Sequence, residues 1–130
     1  MAFPVSVALI EAAEAELGCE FPSELRARLE GSNGGEVFVT SDLYPEGDYW
    51  ELHTIVDGSD RKRLARSMRA SIVAETSSAR NWTAFPQGAV AVGSNGSGDL
   101  LILASGSTRL WIWDHETAEI YDASPNWTRR

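Results

Sequence analysis

The chain has 130 residues and a formal net charge of −8, with 43% hydrophobic and 23% charged residues. That balance belongs to a soluble globular protein and argues against a disordered or membrane-embedded chain. One domain is expected over residues 1–130, long enough to bury a core without covalent staples. The single cysteine, Cys19, excludes an intramolecular disulfide and a four-cysteine metal site. It is expected as a small buried hydrophobe.

The charge is unevenly distributed. Residues 1–60 carry thirteen acids against Arg26 and Arg28, a balance of −11, whereas residues 61–130 carry nine bases against six acids, a balance of +3. Such an acidic half repels a nucleic-acid backbone and steers a basic protein toward itself. The first residues lack a basic segment, and apolar 5–10 run straight into Glu11, Glu14 and Glu16. No secretory signal and no membrane span are read from the chain, so a cytoplasmic location is expected.

In chain order, residues 6–17 predict an amphipathic helix, because Leu9, Ile10, Ala13 and Leu17 recur at helical spacing while Glu11, Glu14 and Glu16 avoid that stripe. Gly18 stops it. Phe21-Pro22 makes an extended entry to a second helix over 24–30, with Ser23 as its N-cap, and Gly31 ends it. Asn33-Gly34-Gly35 then turns the chain into a strand around Val37-Phe38-Val39. After a turn-rich stretch, residues 50–56 alternate so that Trp50, Leu52, Thr54 and Val56 share one face while Glu51 and His53 share the other. Ser59 or Asp60 caps a predicted third helix running to about residue 75, with Leu64, Met68 and Ile72 a turn apart. Arg61, Lys62, Arg63, Arg66 and Arg69 crowd its first turns, where positive charge opposes the helix dipole and calls for carboxylate partners.

The stretch 85–116 organises the remainder. Three short apolar runs, 89–92, Leu100–Leu103 and Leu110–Trp113, are separated by tight connections and read as three strands at the centre of a sheet. Asn95-Gly96 supplies the left-handed geometry of a reversing turn, and Gly98 permits a close backbone approach.

A combination of motifs here resembles a known family. Phe85-Pro86, Gly88 and Gly93 are followed by Ser97-Gly98-Asp99, the apolar run 100–103, and Trp113-Asp114-His115-Glu116. Upstream lie Glu14, Leu17 and Gly18 at a helix end, then Phe21-Pro22 with Leu25, then Asn33-Gly34-Gly35 ahead of a strand. The order resembles the SUKH superfamily, which groups bacterial immunity proteins of polymorphic toxin systems with fungal cell-wall-synthesis regulators of the Smi/Knr type. The resemblance spans about residues 10–116. It marks Gly34, Gly35, Gly98, Asp99, Trp113, Asp114 and His115 as fold motifs. The pattern departs at the C-terminus, where Pro125 and the polar residues 126–130 leave no room for the terminal helix that many members carry.

The expected fold is α+β: two N-terminal helices and one central helix on a largely antiparallel sheet of about five or six strands. The resemblance implies a non-enzymatic binding protein without cofactor or metal. An immunity protein that neutralises a cognate toxin is the leading expectation. A nuclease domain suits the charge, since nucleases hold polyanions and tend to be basic. The rival expectation is a regulatory adaptor of the Smi/Knr type binding an endogenous partner. A small hydrolase using Asp99, Asp114, His115 and Glu116, with His53 as a second imidazole, is disfavoured because adjacent strand residues point to opposite faces. Candidate partner-binding residues are Asp42, Tyr44, Glu46, Asp48, Tyr49, Trp50 and Glu51, where aromatic anchors sit among carboxylates. Glu11, Glu14 and Glu16 are expected to add steering charge.

Overall fold

The computed structural model describes residues 3–128; Arg129 and Arg130 of the polar end lie outside them. Helices α1 (Val7–Leu17) and α2 (Ser23–Gly31) precede strands β1 (Glu36–Thr40) and β2 (Asp48–Leu52). Helices α3 (Arg61–Ser67) and α4 (Ile72–Ala79) follow, then β3 (Val90–Ser94), β4 (Leu100–Leu103), β5 (Leu110–Trp113), β6 (Ile120–Asp122) and β7 (Ser124–Asn126). Ser6 caps α1 by accepting from Leu9 N, and the helix stops at Gly18 in the left-handed region with φ 72°, as its sequence dictates.

All seven strands pair antiparallel in the order β6-β5-β4-β3-β2-β1-β7. The 85–116 stretch supplies β3, β4 and β5, and β3 is the middle strand. Strands β6 and β7 lie at opposite edges, yet only Ala123 separates them in the chain. One short segment therefore joins the two edges, and the sheet must curl into a nearly closed barrel.

Alternation along the strands then sorts the side chains. Val37, Val39, Trp50, Leu52, Val90, Val92, Leu101, Leu103, Leu110 and Ile112 face inward and form one core with Ile10 and Ala13 of α1 and Leu25 and Leu29 of α2. On the outer face of β3–β5, Ala91, Ile102 and Trp113 pack beneath Ala79 and Phe85. The outer face of β1 and β2 carries Glu36, Phe38, Tyr49 and Glu51. Of these, Glu36, Tyr49 and Glu51 are exposed and Phe38 is half-buried.

The expected single central helix is two. Thr54 N donates to Ala70 O, and Ile72 N donates back to Thr54 O, so the chain after β2 hydrogen-bonds into the middle of the predicted helix and interrupts it. Ser71 accepts from Ala74 N and caps α4 anew. Of the predicted stripe, Ile72 alone is core, whereas Leu64 and Met68 are exposed. The 50–56 alternation ends early for a related reason: β2 stops at Leu52, His53 and Ile55 turn inside, and Val56 is exposed. Cys19 is half-buried against the core rather than buried. Among the described residues no helix is long and apolar enough to cross a membrane.

Candidate functional site

The 42–51 stretch does not act as one loop of exposed anchors. Trp50 points inward with 0% exposure, because its register partner Val37 also faces the core. Tyr44 packs edge-on against Trp50, with ring centroids 5.7 Å apart, and its hydroxyl donates to Asp99 Oδ2 at 2.8 Å. Asn95 Nδ2 donates to the same hydroxyl at 2.9 Å. Asp48 is half-buried and accepts from Tyr49 N, while Asp42 and Glu46 are exposed.

Asp99 is the hub of this region. The 6% exposed carboxylate accepts from Tyr44 and, through Oδ1, from His115 N at 3.2 Å and His115 Nδ1 at 2.7 Å. Burial pushes the Asp99 carboxyl up, but the bonds from His115 and Tyr44 outweigh it and hold the group below its ordinary range. The same bond raises the His115 imidazole above its usual value. Gly98 makes room for the ring: a Cβ there would lie 2.8 Å from His115 Cε1, and its φ of 103° already excludes most side chains. The motif residues Gly98, Asp99 and His115 thus bolt the β3–β4 turn to the end of β5 and to the β1–β2 connection.

That arrangement decides how the titratable cluster reads. Asp99, Asp114 and His115 offer atoms within 4.8 Å of one another. Asp99, however, has both oxygens engaged, and Asp114 Oδ1 accepts from Glu116 N and Thr117 N in the turn after β5. These bonds hold turns and strand ends together. His53 stands apart: it is 2% exposed, its Nδ1 bonds Ala91 O at 2.9 Å, and burial lowers its pKa.

The expected steering acids also divide. Glu11 and Glu16 are exposed, but Glu14 is buried and accepts from Phe21 N at 2.7 Å, with Arg26 at 3.3 Å. It fixes the α1–α2 connection instead of facing solvent.

What remains outward is a compact face on β1 and β2. Glu36 and Glu51 are register partners, and so are Phe38 and Tyr49. The two rings meet edge to face at 5.1 Å, with Tyr49 38% exposed. Phe38 lies over Gly47, where a Cβ would come within 2.2 Å of the ring. Neither Glu36 nor Glu51 has an ion-pair partner among the described residues. Like charges directly opposite on a sheet are unfavourable, so the register places two exposed carboxylates side by side on this face. Glu36 and Phe38 are the residues that sequence reasoning missed. Their signal was the alternation of 36–40, in which Val37 and Val39 point inward and a large aromatic occupies an outward position.

Comparison with curated proteins and with solved structures gave no match. Comparison with family models gave the SMI1 / KNR4 family (SUKH-1) over residues 4–129. A match over nearly the whole chain, together with the α+β fold and the Gly98-Asp99-His115 lock, means that the chain belongs to the SMI1/KNR4 (SUKH-1) family.

Proposed function

We propose that this protein is a non-enzymatic immunity protein that binds and neutralises a cognate bacterial polymorphic toxin inside the producing cell. The toxin is a basic protein, and a nuclease domain suits the charge best. The observation that carries this reading is the outer face of β1 and β2, where the Phe38–Tyr49 pair is bordered by Glu36 and Glu51, neither of which has an ion-pair partner among the described residues. Aromatic residues supply the anchoring contact area of protein interfaces, and surrounding carboxylates supply long-range attraction to a basic surface. Exposed Asp42 and Glu46 of the β1–β2 connection add negative charge next to this face, and exposed Glu16 and Glu11, the latter 3.8 Å from Arg26, add to the charge of the chain as a whole. A cationic side chain of the partner placed between the two carboxylates would be attracted by both. Family membership supports a binding domain, and the internal hydrogen bonds of Asp99 and His115 support a structural use of the residues a hydrolase would need.

The test is affinity capture from the lysate of the source cells at low and high salt, with the bound proteins identified. One basic toxin domain, held more weakly as salt rises, is the expected result. Capture of an endogenous regulatory or envelope protein would favour an adaptor role and refute the immunity reading.

A further inference from the structure

Strands β6 and β7 are one extended stretch that changes partner at Ala123: β6 pairs with β5, and β7 pairs with β1. The direction of its backbone groups follows from the bonds at its ends. Ala123 N donates to Leu110 O, and Glu119 O accepts from Asp114 N. The odd-numbered residues therefore turn their polar backbone groups toward β5, and those of Ile120 and Asp122 turn the other way. To reach them, β1 would have to continue past Thr40, whose partner is Ser124. It does not, because Ser41 N donates to Tyr44 O and Ser41 Oγ accepts from Tyr44 N, which turns the chain aside. Strand β6 is thus left as a free edge at the end of the sheet order. Beside it, where β1 breaks off, is an open groove of about 370 Å³ lined by Thr40, Ser41, Asp42, Pro45, Asp122 and Ser124. None of the outward residues of β1 and β2, Glu36, Phe38, Tyr49 and Glu51, lines it.

We propose that this groove takes an extended segment of a protein partner, which pairs antiparallel with β6 and continues the ladder that β1 abandons. Phe38 lies opposite Asn126 and Thr40 opposite Ser124, so the next two such positions, on the added strand, fall opposite Asp122 and then Ile120. Their backbone groups complete those of Asp122 and Ile120. In strand addition main-chain bonds of this kind supply affinity, and alternate side chains supply specificity. The neighbours set the chemistry of the segment. Asp42, Glu119 and Asp122 are exposed carboxylates beside one cation, Arg109, which pairs with Asp122 at the surface. An exposed pair of that kind is weak, so Asp122 can accept a second cation. Ile120 is 43% exposed. The segment therefore carries a basic residue opposite Asp122 and an apolar one two positions later, opposite Ile120. A second copy of this chain is disfavoured, because its own β6 edge brings the same acids.

The test titrates the full-length, isotopically labelled protein with a capped heptapeptide in which lysine and valine, two positions apart, stand among threonines. Saturable shifts and slowed hydrogen exchange of the Ile120 and Asp122 amides are expected. The same peptide methylated on the lysine and valine backbone nitrogens loses the donors that face β6 and should bind about tenfold more weakly or worse. Glutamate in place of its lysine should weaken it similarly, as should Asp122→Lys in the protein. Asp122 is exposed, and the unchanged remainder of the spectrum checks the fold, while the two altered peptides leave the protein untouched. Three outcomes would overturn the proposal. They are no saturable shifts, equal affinity for the methylated or the glutamate peptide, or movement of the same two amides with protein concentration alone, which would give the edge to a second copy.

Discussion

Glu14 separates a structural carboxylate from a steering one, and replacing it tests the distinction. Its Oε2 accepts from Phe21 N at 2.7 Å in a buried setting, and its Oε1 lies 3.3 Å from Arg26. Phe21 is itself 4% exposed, so truncation to alanine leaves a backbone N–H without a partner and away from water. An orphaned buried donor costs about 1–3 kcal/mol. The Arg26 pair adds less than about 1 kcal/mol because that side chain is partly exposed, and alanine returns a few tenths through helix propensity. Glu14→Ala should therefore destabilise the domain by about 2–3 kcal/mol, a melting temperature lower by roughly 10 °C. Glu14→Gln keeps an acceptor and should lose about half as much. The exposed Glu16→Ala, in the same helix, should stay within about 0.5 kcal/mol of the parent. Urea and thermal unfolding followed by circular dichroism measure all three. If Glu14→Ala unfolds at the midpoint of Glu16→Ala, the reasoning fails, and Glu14 belongs with the surface acids after all.

Other consequences are as direct. Gly98→Ala places a methyl group against the His115 ring at a left-handed φ and should cost about 2 kcal/mol or more, read by denaturant unfolding and by loss of the His115–Asp99 bond in imidazole NMR. The two histidines should give opposite pH slopes. His115 is raised in the folded state, so its contribution is full below the ordinary value of 6.5 and is lost as pH rises through the raised value. His53 is lowered, so stability is full above 6.5 and is lost as pH falls below it toward the folded value. Asp99 is held low, so its contribution is present above 3.8 and is lost in acid. Stability curves of His115→Gln and His53→Gln should each lose one of the two imidazole slopes, and retention of both slopes in either variant would contradict the assignment. Glu51→Gln relieves the cross-strand repulsion with Glu36 and should stabilise the free domain by about 0.2–0.5 kcal/mol while weakening partner binding. A variant that binds better as well as folding better would remove Glu51 from the interface.

What the sequence disclosed follows from how local each signal was. The β3–β5 meander was legible because its turns are marked by Asn95, Gly96 and Gly98 and its apolar runs are short. The division of α3 from α4 was not, because the break comes from Thr54 bonding Ala70 and Ile72 across the fold, and nothing between residues 61 and 75 announces it. Strands β6 and β7 were missed because each has three residues and one contains Pro125, a residue that normally demotes a strand. At the candidate site, period-2 alternation from Trp50 separates Glu51 from Trp50, but it leaves Tyr49 in the turn and puts His53, which is buried, beside Glu51. It does not say that Tyr44 folds back onto Asp99, fifty-five positions away. Nor does it say that Glu36 and Phe38 complete the outward face, since that depends on the β1–β2 register. Glu14 misled for a similar reason: it avoids the apolar stripe of α1, yet the chain after Gly18 returns over it and claims its carboxylate.

The most direct measurement is the affinity of the purified toxin domain recovered by capture for the parent protein and for the Tyr49→Ala/Glu51→Gln variant, by isothermal titration calorimetry, with circular dichroism checking that both are folded. Tyr49 and Glu51 are exposed, so the fold should survive, and the account expects binding to weaken by at least about 2 kcal/mol, some thirtyfold. Equal affinity in a folded variant would contradict it, and the β1–β2 face would no longer be the site of recognition.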